Sequence, residues 1–277
     1  MSVPLGTASP LPVAPSSSAS SVQQLLAALE RSVQVDLIAT YDLLNCSSHE
    51  LYRAVLESET NAGFDQFPVE TDGRIVGVLE RGKCRKGTLV RDVMRPLDDS
   101  MLVAASTGVL TYIHLAAESR YHLVVKDHRV RGIVTPSDLL KLPVRLVLFT
   151  LITHLESIMG TLIRRRFPSR DWQQYLSEGR RQKLADEDAR LKKRGADNDL
   201  VLVCQLCDKR DIIAKGVLES GRRAAFLQDL KHLEKLRNDV MHSSDYLPDG
   251  RRLSKLVEKT TTWIHELENA QGIDYGC

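Results

Sequence analysis

The sequence predicts an α/β architecture of two stacked units followed by an all-α helical bundle, and three observations carry that expectation. Between about residues 30 and 142 the order strand, helix, strand, strand occurs twice, with closing strands around Gly77 and Gly132 that lie 55 residues apart. Beyond Pro143 the apolar pattern is helical throughout. The junction Lys141-Leu142-Pro143 leads almost directly into the first of those helices, so no flexible linker separates the two parts.

Residues 1–21 are rich in Pro, Ser and Ala and lack both a positive n-region and a continuous apolar h-region, which predicts a disordered leader rather than a signal peptide. Residues 22–31 follow as a short amphipathic helix. In the first unit, about 30–87, Val33 to Ile38 reads as a strand and Ser48 to Glu59 as a helix. Gln66 to Val69 and Arg74 to Leu79 are β runs split by the turn Thr71-Asp72-Gly73. The second unit, about 88–142, runs through Met101 to Val103, a helix around Leu110 to Glu118, Tyr121 to Val125, a turn at Lys126 to Arg129, and Val130 to Val134. Neither small sheet would bury both faces alone, which is why the repeat implies stacking over residues 22–142.

The bundle, residues 143–277, begins with apolar residues at Val144, Val147, Leu148, Leu151, Leu155, Ile158, Met159 and Leu162, a core-facing helix stopped at Phe167-Pro168. Further helices are expected over Trp172 to about Arg194, Asp199 to Lys215, Arg222 to His242 and Leu253 to Ala270. The breaks fall at Gly195 to Asn198, Gly216 to Gly221 and Leu247 to Gly250.

Composition excludes several classes. The 277 residues, 43% hydrophobic and 27% charged, have room for two domains with a substantial core. Five scattered cysteines, an odd number, do not form a disulfide framework and fit a reducing, cytoplasmic compartment. Cys204 and Cys207 form a lone C-x-x-C with no second ligand pair, read as two core cysteines on a buried helix, and no metal site is expected. The apolar run Leu146 to Leu155 is broken by Thr150, Thr153 and His154 and reads as too short and polar to span a bilayer, so no membrane partner is expected. There is no P-loop, H-E-x-x-H or G-x-S-x-G.

The net charge of +2 hides an asymmetry. Residues 1–142 carry 14 Lys+Arg against 16 Asp+Glu, and residues 143–277 carry 24 against 20. Arg164 to Arg166, Arg180-Arg181 and Lys192 to Arg194 cluster in the basic half, which suits either a polyanionic partner or a solvated helix face.

Two motifs stand out. On the helix Phe226 to His242, the residues Phe226, Leu230, Leu233 and Val240 form one apolar stripe, and Arg237 falls within it. A guanidinium cannot be neutralised, so it is rarely left unpaired against a buried surface. Asn238 and His242, four apart, stack on the edge of the same stripe. The second motif is Gly132-Ile133-Val134-Thr135-Pro136-Ser137-Asp138, in which Thr135, Ser137 and Asp138 also suit a helix N-cap.

Residues 30–142 resemble a pair of cystathionine β-synthase-type (CBS) domains, the Bateman module. The resemblance rests on Phe67-Pro68-Val69 and Gly73 to Val78 in the first unit, and on Val90 to Met94, Leu123 to Val125 and Gly132 to Asp138 in the second. It implies that Thr135 and Asp138, beside Gly132, hold the ribose and phosphates of an adenine nucleotide such as AMP, ATP or a related ligand, as a regulatory cofactor. The first unit has Glu80, Arg81 and Lys83 where Thr and Asp belong, so one nucleotide site is expected rather than two.

The bundle, with Arg237-Asn238-x-x-x-His242 on a late helix, looks like a HEPN domain. That resemblance implies a metal-independent endoribonuclease, often paired as a homodimer, with a polar or acidic residue on the first helix contributing; Glu156 occupies the matching place. The chemistry is consistent with RNA cleavage. His242 can move a proton near neutral pH, Arg237 can hold phosphate oxygens, Asn238 can fix the imidazole or a phosphate, and Glu156 can orient Arg237. The competing reading makes Arg237 and Glu156 a structural salt bridge and His242 a helix-end residue, leaving a non-catalytic nucleotide-sensing module whose bundle serves dimerisation or partner binding. No sequence-specific DNA contact is expected.

Overall fold

The computed structural model describes residues 21–82, 88–193, 199–241 and 248–270. Residues 1–20 of the predicted leader, Lys83, Cys84, Arg194, His242 and Cys277 lie outside the described residues, and Ser21 already belongs to the first helix.

The N-terminal part comprises α1 (Ser21–Ser32), β1 (Cys46–Ser47), α2 (Tyr52–Glu57), β2 (Gln66–Thr71) and β3 (Arg74–Glu80), then α3 (Val90–Val93), β4 (Arg95–Pro96), β5 (Leu102–Ala104), α4 (Val109–Leu115), β6 (His122–Lys126) and β7 (Arg129–Val134). The first sheet has the order β1-β2-β3-β4 and the second β5-β6-β7. In each unit a short strand joins parallel to the first arm of an antiparallel hairpin, Cys46 opposite Val69 and Leu102 opposite Leu123.

The two units exchange backbone. β4 belongs to the second unit in sequence but pairs with β3, Gly77 opposite Pro96. In return, Thr40 of the first unit pairs with Ile133 of β7. The repeated glycines make this possible: a Cβ on Gly77 would lie 2.5 Å from the Arg95 carbonyl oxygen, and one on Gly132 would lie 2.9 Å from that of Thr40.

The segment Val33 to Ile38 is not a strand. It forms a 3-10 turn at Val35–Leu37, held by the amides of Val35 and Asp36 on the carbonyls of Thr107 and Ala105, at 2.8 and 2.9 Å. The reason lies in spacing. Val35 and Ile38 are buried, three residues apart, whereas Leu37 is 57% exposed, so the period is that of a turn and not of a pleat.

The C-terminal part contains α5 (Leu142–Arg166), α6 (Glu178–Lys193), α7 (Leu200–Val203), α8 (Leu206–Gly216), α9 (Ser220–Met241) and α10 (Gly250–Ala270). α5 is the central helix and packs against α8, α9 and α10. By length and composition alone it is apolar enough to cross a membrane, contrary to the reading of its middle run. In the fold its Val144, Val147, Leu148, Leu151 and Leu155 are buried in the core.

The helix expected over Asp199 to Lys215 is interrupted at Cys204-Gln205, because Asp199 caps α7 through the Val201 amide (3.0 Å) and Asp208 starts α8 by accepting from the Gln205 amide (2.9 Å). Cys204 is buried at that break and Cys207 is half-exposed, so only one of the two is a core cysteine. Among the described residues there is no metal-ligating cluster.

Candidate functional site

Two separate constellations emerge, one in the α/β pair and one in the bundle. In the first, β7 delivers Thr135 to the mouth of a cleft of about 500 Å³, and the 3-10 turn Pro136–Leu140 carries Asp138. Asp138 is 8% exposed. Its Oδ2 accepts from the Thr135 amide at 2.7 Å and from the Thr135 hydroxyl at 3.0 Å, while Oδ1 pairs with the Lys141 ammonium at 2.7 Å. Lys141 also donates to the Ile38 carbonyl. The carboxylate therefore does the work of a capping residue and still lines the cleft, and it has lone pairs left for a ligand hydroxyl.

Thr40, Asp42, Asp65 and Arg120 line the same cleft. With Asp138 there are three carboxylates against one guanidinium, a wall suited to sugar hydroxyls and exocyclic amines more than to a chain of phosphates. Gly132, named with Thr135 and Asp138, is buried against Thr40 and acts by allowing the strand exchange. Sequence reasoning missed Lys141; its place three residues after Asp138 was the available signal.

Behind the cleft lies a buried polar pair. Tyr112 and His122 meet edge to face at 5.7 Å, and neither the Tyr112 Oη nor the His122 Nδ1 has a hydrogen-bond partner among the described residues. Burial pushes the His122 imidazole below its usual range and the Tyr112 phenol above its own, with Asp138 adding to the latter. In the first unit the position corresponding to Thr135, 55 residues earlier, is Glu80, a carboxylate in place of the hydroxyl. The next residue, Arg81, donates to the carbonyls of Phe64 (2.9 Å) and Asn61 (2.7 Å), a structural clamp.

In the bundle, α5 supplies Glu156, α8 Lys209, and α9 Arg237 and Asn238. Glu156 binds Lys209 tightly, Oε1 to Nζ 2.8 Å. Its other oxygen is 3.9 Å from Nη1 of Arg237, the outer limit of an ion pair. Arg237 also reaches Oδ1 of Asn238 at 3.4 Å, and its Nε is buried with no partner among the described residues. One third of the Arg237 side chain is exposed, so it sits at the edge of the buried stripe rather than in its middle. Glu156, Arg237 and Asn238 are thus brought together; His242 lies outside the described residues. Lys209, a buried cation that takes the first claim on Glu156, went unrecognised in the sequence, since nothing in its spacing points at α5.

Four of the eight residues in the basic runs are paired. Arg164 pairs with Asp199, Arg180 with the buried Asp208, Arg181 with Glu178 and Lys192 with Asp188.

Residues 90–145 match the family model of the CBS domain, and this part of the chain is a CBS domain. None of the curated proteins matches the chain. Among solved structures, a conserved CBS-domain protein from Thermoplasma acidophilum is 23% identical, with 39% of this chain and 67% of that one covered and a TM-score of 0.34. CBSX2 from Arabidopsis thaliana is 22% identical over 42% of this chain and 94% of its own, with a TM-score of 0.35. CBSX2 in complex with AMP gives 20%, 42%, 97% and 0.33. With TM-scores below 0.5, these likenesses carry no functional weight.

Proposed function

We propose that the chain is a nucleotide-sensing CBS-pair protein that binds an adenine nucleotide in the cleft at Thr135 and Asp138 and relays its occupancy to the helical bundle. The buried, cleft-facing Asp138 carries this reading: it can exchange its contact with Thr135 for the ribose hydroxyls. A relay is supported by Arg145, whose guanidinium donates to the Leu140 carbonyl at 2.9 Å and to the Asp239 carbonyl at 3.2 Å. One side chain thus spans the nucleotide turn and the residue beside Asn238.

The three carboxylates of the cleft predict a charge order: AMP binds more tightly than ATP. Calorimetry on the full chain checks this, and Asp138→Ala should remove AMP binding. Retention of AMP affinity in that variant, or no heat from any adenine nucleotide, defeats the reading.

A second reading concerns the bundle: a metal-independent endoribonuclease of HEPN type, acting as a homodimer. The favouring observation is that Lys209, not Arg237, holds Glu156 closely, which leaves the Arg237 guanidinium with long contacts only and open to a phosphate. Exposed Leu142, Leu146 and Met241 are suited to a second copy. Wild type should cleave single-stranded RNA in excess chelator, and Arg237→Ala or His242→Ala should lower the rate at least about a hundredfold. If RNA stays intact with and without AMP, the bundle is a partner-binding element and the first reading stands alone.

A further inference from the structure

A second cleft, of about 640 Å³, opens between the turn ends of the two hairpins, β2–β3 and β6–β7. It shares a single lining residue, Leu43, with the cleft at Asp138 and differs from it in charge. Arg74, His128, Arg129 and Arg131 line it, against one carboxylate, Glu70, which accepts from the Asn45 amide at 3.1 Å. Cations nearby are paired: Lys126 with Asp36 at 2.7 Å and Arg95 with Asp98 at 2.7 Å. Arg74, Arg129 and Arg131 have no carboxylate partner among the described residues. Three unpaired guanidinium groups around one concavity repel one another and focus a positive field into it.

Two features of the backbone point the same way. In the second hairpin Val124 faces Gly132 while Val125 faces Val130, so Arg131 is the extra residue of a β-bulge, free of a cross-strand partner. The first hairpin bulges at the matching place, where the extra residue is Val76, so the bulge belongs to the repeat and only the second unit sets a guanidinium on it. A bulge re-aims side chains and recurs next to binding sites. The turns also differ. The first places Asp72 and Gly73 at positive φ (49° and 73°), the second Asp127 and His128 (52° and 59°). A left-handed histidine stands where the sister hairpin uses glycine, at a cost in backbone energy that glycine would avoid. Ile75, Leu97 and Leu102 supply the cleft with an apolar lining beside these cations.

We propose that this cleft binds a small anion bearing two or more linked phosphates, held by Arg74, Arg129 and Arg131 and separate from the cleft at Asp138. Arginine forks meet adjacent phosphate oxygens bidentately, and the volume suits a ligand of nucleotide size. The phosphates have two sources, a free oligophosphate or a nucleoside polyphosphate, the latter with its base on the apolar wall.

The test is calorimetry on the full chain with tripolyphosphate and with ATP, in wild type, Arg129→Gln/Arg131→Gln and Asp138→Ala. All three arginines are exposed, so the double variant should melt like wild type and serve as a folded control. Expected is tripolyphosphate binding that persists in Asp138→Ala and weakens at least about tenfold in the double variant. In Asp138→Ala, where the other nucleotide cleft is disabled, ATP binding tighter than tripolyphosphate assigns the apolar wall to a base, and equal binding assigns the cleft to phosphates alone; both support the site. Binding that disappears in Asp138→Ala but survives in the double variant overturns it, as does an interaction seen only with RNA and not with either small anion.

Discussion

At the scale of single residues, burial decides what a polar group can do. His122 is 4% exposed, its Nδ1 is unpartnered, and desolvation holds its imidazole below the usual range. In the unfolded chain the same imidazole protonates near pH 6.5, so on acidification the unfolded state takes up the proton first. Stability should therefore fall as pH drops below about 6.5, and His122→Gln should flatten that slope in denaturant melts between pH 5 and 7. His154, lowered by burial in the same way, contributes a residual slope that the variant leaves. Tyr112 makes a matching case. Its Oη is buried without a partner, so Tyr112→Phe should leave stability unchanged or raise it, as read from the melting temperature.

At the scale of elements, the two units are joined by the reciprocal strand exchange, and the repeated glycines are its condition. Gly77→Ala and Gly132→Ala each push a Cβ into a backbone oxygen, 2.5 and 2.9 Å away, where no flexible side chain can give way. Each should cost about 1–3 kcal/mol in chemical denaturation, with Gly77→Ala the worse of the two. Their 55-residue spacing was plain in the sequence and read as an internal repeat, which says that two units stack but not that these glycines are where the backbones meet. Close approach of two backbones is invisible to spacing, because the oxygen in question belongs to a residue far away in the chain. The strand assigned to Val33 to Ile38 failed for a related reason: alternating Val33, Val35 and Leu37 is a β pattern, yet the partners offered by Thr107 and Ala105 favour a turn.

At the scale of the molecule, the two CBS-like units are not equivalent. Val103, Val124, Val134 and Leu139 of the second unit belong to one continuous core with α5, α8, α9 and α10, whereas Phe67, Val69 and Leu79 of the first unit form a separate cluster with Val90. Contacts between the second unit and α10 reinforce this, with the His114 Nδ1 2.7 Å from the Ser254 Oγ and the Arg251 Nε 3.1 Å from the Ala117 carbonyl. Native-state hydrogen exchange should show β6, α5 and α10 opening with a common free energy and β2–β3 opening at a lower one. Equal protection in both hairpins would mean that the two cores are a single cooperative unit. Shared packing also gives the Thr135-to-Leu140 turn a rigid path to α9 through Arg145, which a hinge between independent domains would lack.

What the sequence determined by itself was local: the 2-residue and 3.6-residue periods that place hairpins and helices, the repeat, the Thr135 to Asp138 turn, and the gathering of Arg237 and Asn238 on one helix. Tertiary structure decided who meets whom. It gave Glu156 to Lys209 before Arg237, set Gly132 against the Thr40 backbone, and assembled Arg74, Arg129 and Arg131 from two hairpins into one basic cleft. The reason is physical: periodicity is fixed by backbone geometry within a few residues, whereas charge pairing and close approach depend on atoms brought together from distant parts of the chain.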